Sequence, residues 1–403
     1  MANKNIPQIR FKGFDGEWEE KFPNDLFKTY NDRNYPDLPV LSATQDKGMV
    51  FRDSINYDVQ HDKRNEITYK RVLPEQFVIH LRSFQGGFAH SKIEGICSPA
   101  YTIFGFTNNE NHDIFWKYVF SSEVFIQRMP LITYGIRDGR SIKYEDFCEL
   151  GFYVPTKSEQ TRIATFFTAL DKQISCSEAK LNKLRTIKKT LLKKMFASQG
   201  EKTPQIRFKG FDGEWEENAL NNWIEPSKEK NIENKYSKND VLSVSGDYGV
   251  VNQIEFQGRS FAGVSVSNYG VLHTNDIVYT KSPLKANPYG IIKTNIGQTG
   301  IVSTLYAIYK SKENVEPIFV QKYFEFDNRL NLYLRPLVRK GAKNDMKVSS
   351  EDAIKGNVIF PKKEEQSKIS KFFQILDKQI SCQEKKIEKL KEVKKTLLKK
   401  MFV

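Results

Sequence analysis

The chain has 403 residues, of which 39% are hydrophobic and 13% aromatic, and it carries a formal net charge of +14 with a pI of about 9.3. This apolar content can fill the cores of two or three domains and excludes a disordered chain, and the charge is typical of proteins that bind a polyanion, nucleic acid first of all. Ribosomal and membrane-surface proteins share such a charge, but the sequence contains neither a signal peptide nor the roughly 18 consecutive apolar residues of a membrane span, so we expect a cytoplasmic protein.

The first element is a short segment, "PQIRFKGFDGEWEE", that occurs twice, letter for letter, at residues 7–20 and 204–217. Phe11, Phe14 and Trp18 are spaced to pin this segment through apolar contacts, and an Asp-Gly pair between them predicts a turn. An exact repeat of this length indicates that the chain is built from two copies of one unit.

A region of variable sequence follows each opening. It begins with strand-like runs bounded by turn residues, such as "QFVIHLR" in the first copy and "DIVYT" in the second. A stretch with helical periodicity begins at Asn111 and at Glu316, and a last short strand closes each region. Faint similarities between the two regions keep the same order, so we expect both to form the same α/β domain, with helices beside a mixed, twisted sheet.

A long helix ends each copy. The two segments align without a gap and run for about 40 residues without Gly or Pro, which corresponds to ~60 Å. Their apolar residues follow an a/d/e pattern over five heptads, which predicts a two-helix seam. The predicted seam consists of Ile163, Phe166, Phe167, Leu170, Ile174, Leu181, Leu184, Leu191, Ile369, Phe372, Phe373, Leu376, Ile380, Ile387, Leu390 and Leu397.

Two polar residues, Ser177 and Gln383, interrupt the seam at the same level of each helix, and such a layer can fix the register of a helix pair. We expect the twofold axis of an antiparallel pair to pass near this layer, which would bring Cys176 and Cys382 close together. The outer face of the first helix carries seven Lys or Arg and no acid between Lys180 and Met195, which favours a nearby polyanion over a merely solvated face.

These elements predict a tandem repeat with pseudo-twofold symmetry. Its parts are domain 1 (1–154), the first long helix (155–197), a linker (198–203), domain 2 (204–360) and the second long helix (361–403).

No residue constellation indicates catalysis. The "NPY" that begins at Asn287 lacks the second Pro of the N-P-P-[FY] loop of adenine methyltransferases, and no glycine-rich loop for a methyl donor or a nucleoside triphosphate is present. The histidines are scattered and the four cysteines form no C-x-x-C pair, so we expect no metal site. The sequence therefore predicts a protein that binds without catalytic residues of its own.

The arrangement resembles a known family. Two variable α/β domains alternate with two repeated helices, and each helix is entered through P-x-x-x-E-Q, at Pro155–Gln160 and Pro361–Gln366. This pattern over the whole chain is similar to the specificity (S) subunit of type I restriction–modification enzymes, whose domains also open on segments like "RFKGFDGEWE".

The resemblance implies that each domain is a target recognition domain that reads one half of a split double-stranded DNA sequence. It implies that the helices pair antiparallel and act as a ruler between the domains. Two modification subunits would dock on the repeated parts and carry the adenine-N6 methyltransferase sites with S-adenosylmethionine. Restriction subunits with ATP-driven translocation and nuclease activity would join them. The chain itself would hold no cofactor.

Base readout requires Arg, Lys, Asn, Gln or Ser on loops that can enter a groove. The last loop of each domain is the first candidate, and the loop after a central strand is the second. The candidates in domain 1 are Arg82, Ser83, Gln85, Lys92, Arg137, Arg140 and Lys143. Those in domain 2 are Lys281, Ser282, Lys285, Asn287, Arg339, Lys340, Lys343, Asn344 and Lys347.

Two other classes of protein remain possible from the sequence. One is a fused DNA adenine methyltransferase–recognition protein, against which the incomplete N-P-P-Y and the missing methyl-donor loop argue. The other is a coiled-coil scaffold that binds only proteins, which the two large domains and the charge of +14 disfavour.

Overall fold

The structure is a computed structural model, and it describes residues 5–44, 47–55, 63–80, 87–134, 141–198, 200–284, 286–340 and 346–403. The chain divides into two compact units, Met1–Glu178 with Lys385–Val403 and Ala179–Glu384. Each long helix therefore contributes one part to each unit.

The first unit contains twelve strands and five helices among its described residues. The strands are β1 (Glu19–Lys21), β2 (Phe27–Tyr30), β3 (Leu41–Thr44), β4 (Gly48–Phe51), β5 (Lys70–Val72), β6 (Phe77–Ile79), β7 (Phe88–His90), β8 (Gly95–Cys97), β9 (Thr102–Phe106), β10 (Thr133–Tyr134), β11 (Ser141–Ile142) and β12 (Phe152–Val154). The helices are α1 (Pro23–Leu26), α2 (Asp113–Phe120), α3 (Glu123–Arg128), α4 (Tyr144–Cys148) and the long α5 (Lys157–Lys194), which continues into the second unit.

The second unit repeats the twelve strands after the linker, with a different set of short helices. Its strands are β13 (Glu216–Ala219), β14 (Ile224–Pro226), β15 (Leu242–Ser245), β16 (Gly249–Asn252), β17 (Gly270–Leu272), β18 (Ile277–Thr280), β19 (Ile292–Thr294), β20 (Gly300–Val302), β21 (Tyr306–Ser311), β22 (Arg339–Lys340), β23 (Met346–Lys347) and β24 (Asn357–Phe360). Its helices are α6 (Gln253–Gln257), α7 (Pro317–Phe324), α8 (Asp327–Leu334) and the long α9 (Lys363–Met401), which ends in the first unit.

The two units have the same strand topology. A four-stranded sheet in the order β2-β9-β6-β7 has its counterpart in β14-β21-β18-β19, and the two-stranded pairs correspond one to one. The predicted shared α/β fold is therefore confirmed.

The sheets differ from the expectation in one respect. Every described ladder of paired strands is antiparallel, and parallel pairing occurs only at isolated bridges such as Val40 with Ile96. The prediction of mixed sheets is therefore wrong for the described ladders, in which neighbouring strands run in opposite directions even where a long connection separates them, as between β2 and β9.

The cores of both units are rich in aromatic residues. In the first unit Phe27 lies 5.3 Å from Phe104 and 5.0 Å from Trp116 between ring centroids, and all three are buried. In the second unit Phe319 packs on Phe360 at 5.0 Å. Trp116 belongs to α2 and Phe319 to α7, so these contacts pack both helices against strands of their units.

Parts of both long helices lie side by side within each unit, in opposite directions. In the first unit Lys391 pairs with Glu178 and Lys394 with Asp171, each at 2.6 Å. In the second unit Arg185 pairs with Glu384 and Lys188 with Asp377, again at 2.6 Å. These are the same positions of the repeat with the helices exchanged, since Arg185 corresponds to Lys391 and Lys188 to Lys394.

The predicted seam residues are all buried or half-buried. Buried are Ile163, Phe167, Leu170, Ile174, Leu181, Ile369, Phe373, Leu376 and Ile387, and half-buried are Phe166, Leu184, Leu191, Phe372, Ile380, Leu390 and Leu397. Not all of them face the other helix. Phe166 contacts Phe11 at 5.5 Å and Phe372 contacts Phe208 at 5.7 Å, so part of the stripe receives the repeated opening.

Candidate nucleic-acid interface and its frame

The repeated segments 7–20, 155–196, 204–217 and 361–402 are called the frame below. Its strongest polar contact joins the opening to the P-x-x-x-E-Q motif. Arg10 donates from Nε and Nη2 to the two carboxylate oxygens of Glu159, each at 2.7 Å. Arg207 binds Glu365 in the same forked manner at 2.8 and 2.7 Å. Both carboxylates are buried, so each pair is a charge-assisted clamp inside its unit.

The glutamine of the motif joins the frame to the variable domain. The side-chain oxygen of Gln160 accepts from the backbone N–H of His112 at 2.9 Å, and that of Gln366 accepts from Glu316 at 2.9 Å. His112 and Glu316 are the N-cap residues of α2 and α7. The motif is therefore a structural joint, which explains why Glu and Gln follow Pro at fixed spacing.

The opening also binds the end of a long helix. Trp18 and Trp215 are buried. The backbone N–H of Ile9 donates to the carbonyl of Lys400 at 3.0 Å, and that of Ile206 donates to Lys194 at 2.9 Å. The predicted pinning of the opening through its aromatic residues is thus accompanied by main-chain bonds that the sequence did not indicate.

In domain 1, two of the candidate DNA contacts lie in the described part. Lys92 is exposed after β7, and Lys143 is exposed at the N-cap of α4. The candidates outside the described residues are Arg82, Ser83, Gln85, Arg137 and Arg140.

In domain 2, the hairpin of β22 and β23 places Arg339 directly opposite Lys347, and both side chains are exposed. Lys340 belongs to β22, but its side chain lies outside the described part, as do Lys343 and Asn344. The hairpin thus presents two cations on the last loop of the domain.

The loop after β18 is less exposed than expected. Lys281 and Ser282 are half-buried, and burial lowers the pKa of Lys281 while the nearby Glu351 partly opposes this effect. Asn287 is buried and donates from Nδ2 to Asp327 at 2.9 Å, so its amide nitrogen already has a structural partner. Lys285 lies outside the described residues.

The sequence analysis did not identify a group of exposed aromatic side chains in domain 2, namely Tyr248, Phe256 and Phe261. Tyr248, in the turn before β16, lies 5.3 Å from Phe256 of α6. The guanidinium of Arg259 lies 4.6 Å from the ring centre of Phe261. These side chains have no helical or strand periodicity, so only the density of aromatic residues in a turn-rich stretch could have indicated them.

Among the described residues, no group of three or more His, Cys, Asp and Glu side chains could hold a metal ion. Within the same residues, no helix combines the length and the apolar character that a membrane span requires.

Similar folds are found among solved structures. The crystal structure of the type I restriction-modification system S subunit from M. genitalium matches with a TM-score of 0.60 and 15% identity over 99% of both chains. A second solved structure comes from work on complex assembly and conformational transition of the type I R-M system. It matches with a TM-score of 0.50 and 11% identity over 96% of this chain and 97% of that one. No model of a protein family and no curated protein matches the sequence. The chain has the fold of a type I restriction–modification S subunit along nearly its whole length.

Proposed function

We propose that the chain is the DNA-specificity subunit of a type I restriction–modification system in the cytoplasm. The observation that carries this proposal is the pairing of one repeated joint with two different surfaces. The Arg–Glu clamp and the glutamine contact are the same in both units, whereas the loops that the domains expose are not. Such an arrangement suits two identical partners and two different DNA half-sites.

The helices are proposed to form one antiparallel coiled coil with pseudo-twofold symmetry. The equivalent pairs Lys391–Glu178 and Arg185–Glu384 support this arrangement. A rigid pair of helices would fix the separation of the two half-sites, and because DNA turns once in about 10 base pairs, the spacer sets rotation as well as distance.

The chemistry is proposed to reside on other subunits. Two modification subunits would dock on the frame and bring S-adenosylmethionine, and restriction subunits would bring ATP-driven translocation and cleavage. The chain would contribute the choice of sequence and no catalytic residue.

The function is tested by co-expressing the chain with its cognate modification subunit and mapping N6-methyladenine across the host genome. The proposal expects a bipartite motif with a fixed spacer. A short continuous motif, or none, would overturn it. Binding of S-adenosylmethionine to the chain alone would point instead to a fused methyltransferase.

Arg339 and Lys347 are proposed to contact the second half-site. Replacing both by Ala should weaken DNA binding, and if both contact phosphates the slope of log K against log salt should fall by roughly 0.9 per contact. Fluorescence anisotropy of the assembled complex on a duplex with the mapped site measures both quantities. Lys209→Ala, an exposed lysine of the acidic opening, is the matched control, and equal losses in both variants would contradict the assignment.

A further inference from the structure

One aspartate of each long helix receives contacts from two directions. In the first unit, Oδ1 of Asp171 binds Nζ of Lys394 from α9 at 2.6 Å. Oδ2 of Asp171 accepts a hydrogen bond from the hydroxyl of Tyr118 in α2 at 2.7 Å. The carboxylate thus connects both long helices to a helix of domain 1.

The second unit repeats this contact at the equivalent aspartate. Oδ1 of Asp377 binds Nζ of Lys188 from α5 at 2.6 Å, and Oδ2 binds Nζ of Lys322 in α7 at 2.5 Å. The frame pairs Asp171–Lys394 and Asp377–Lys188 are called sockets below, because they have the same residues at the same positions of the repeat.

The side chains that enter the sockets differ between the domains. Tyr118 and Lys322 both occupy the sixth position of their helix. Lys322 is only 2% exposed, and it also binds Glu325 at 2.5 Å. Glu325 directly follows α7, and Ser121 directly follows α2.

The two units also differ at a third position near the socket. Lys293 lies at the middle of β19 and is buried, whereas Ala89 lies at the middle of the corresponding β7. The set Lys293, Lys322 and Glu325 is called the charged plug, and the corresponding Ala89, Tyr118 and Ser121 the neutral plug.

In the second unit, three lysines, Lys188, Lys293 and Lys322, surround the two carboxylates Glu325 and Asp377. Burial alone would raise the pKa of Glu325, but Lys322, Lys188 and Lys293 outweigh it and hold the pKa at about 2. In the first unit, burial and the bond to Asp171 raise the pKa of Tyr118, which keeps it a neutral donor. The same kind of socket therefore binds a hydroxyl group in the first unit. In the second unit it binds an ammonium group, Lys322, that is also paired with Glu325.

We propose that Asp171 and Asp377 are positioning residues that set the orientation of each recognition domain on the helices, and through it the DNA spacer that the complex accepts. This inference rests on the proposed function. Each aspartate uses both oxygens, one toward the other long helix and one toward the domain helix, so it fixes the angle between them.

The test uses Asp377→Asn in the full chain, co-expressed with the modification subunit. Asparagine keeps the volume and one acceptor, but it presents an N–H₂ group to one of the two lysines. Methylation is measured at plasmid sites with the natural spacer and with one base pair more or fewer. Because a displacement of about 1 Å can change a rate by about 100-fold, we expect the ratio of altered to natural spacer to rise roughly tenfold. Asp171→Asn should act in the same way.

Lys378→Gln, at the exposed residue next to Asp377, is the matched control and should leave the ratio unchanged. The variant Lys293→Ala with Lys322→Tyr and Glu325→Ser places the neutral plug in the second socket and should keep the natural spacer. Equal loss of methylation at all spacers in Asp377→Asn would show a merely structural role and overturn the inference, as would a relaxed spacer in the neutral-plug variant. Absence of bipartite methylation with the unaltered chain would instead overturn the proposed function.

Discussion

At the scale of single residues, each forked ion pair of the frame holds one buried carboxylate, Glu159 or Glu365. Removing one partner of a buried pair leaves an uncompensated charge, which typically costs about 3–5 kcal/mol. We therefore expect Arg207→Met to lower the free energy of unfolding of the second unit by about that amount, because Glu365 stays buried. Urea denaturation followed by tryptophan fluorescence measures the change.

The control is the double variant Arg207→Met with Glu365→Met. Apolar replacement of both partners removes the stranded charge and should recover most of the loss. If the single and double variants are equally destabilised, the cost comes from lost packing and the ion-pair argument fails.

Glu325 predicts a specific acid sensitivity. Its pKa is lowered from the ordinary 4.5 to about 2 in the folded chain, so its stabilising contribution is complete above about pH 4.5 and is lost as the pH falls toward 2. Glu325→Gln should therefore unfold more easily at neutral pH but lose less further stability between pH 4.5 and 2. Urea denaturation at a series of pH values tests this, and parallel curves for both chains would contradict it.

The sequence identified the repeated motif residues but not the contacts that they make. P-x-x-x-E-Q could be recognised, but the clamp of Glu159 by Arg10 joins residues 149 positions apart, which no local pattern predicts. No local pattern marks Lys322 or Lys293 as buried, although both are. The candidate DNA contacts on the loops remain predictions, since many of them lie outside the described residues.

At the scale of elements, the ion pairs give a register for the long helices. Glu384 pairs with Arg185 and Asp377 with Lys188, so Cys382 lies level with residues 183–187 of α5. Cys176 belongs to the first unit, so the expectation that it lies close to Cys382 stays a prediction.

Mild oxidation followed by peptide mapping tests this prediction, because a Cys176–Cys382 disulfide within one chain forms only if the two Cα atoms approach within about 7 Å. Absence of this disulfide, with the other cysteines reactive, would count against it. Both thiols are exposed and should react with a soluble maleimide, unlike the buried Cys97.

The helices and domains were predictable because they repeat and have strong periodicity. Their long-range contacts were less predictable. The a/d/e stripe assigned Phe166 and Phe372 to the other helix, although their rings lie against Phe11 and Phe208 of the openings. Periodicity identifies an apolar face but not which of several neighbours covers it. Ser177 and Gln383 are buried, as a polar layer requires, and their placement at one level of the helix pair stays a prediction.

At the scale of the whole molecule, each unit completes its core with the end of the helix that belongs to the other copy. Phe402 lies 5.6 Å from Phe115 and 6.0 Å from Phe167 in the first unit. Phe196, its equivalent, lies 5.9 Å from Phe373 in the second. A half-length chain that ends at Ser198 contains domain 1 and its own Phe196.

We predict that this half-length chain forms a homodimer in which each Phe196 takes the place of Phe402 in the other copy. With the modification subunit it should methylate a palindromic split site, and an asymmetric motif would refute this. Phe196→Ala should weaken dimerisation strongly, since truncating a buried Phe costs about 3–5 kcal/mol. Lys189→Ala, at an exposed position of α5, is the control, and analytical ultracentrifugation measures both.

The hydrogen bond from Ile9 to Lys400 has a consequence for the order in which the segments could be connected along the chain. The same bond joins Ile206 to Lys194, where the linker makes the two residues near neighbours in the chain. At one of these two places the backbone is continuous, and at the other only packing and hydrogen bonds hold the ends together. A chain opened at the linker and rejoined from Val403 to the first opening would therefore keep both of these hydrogen bonds.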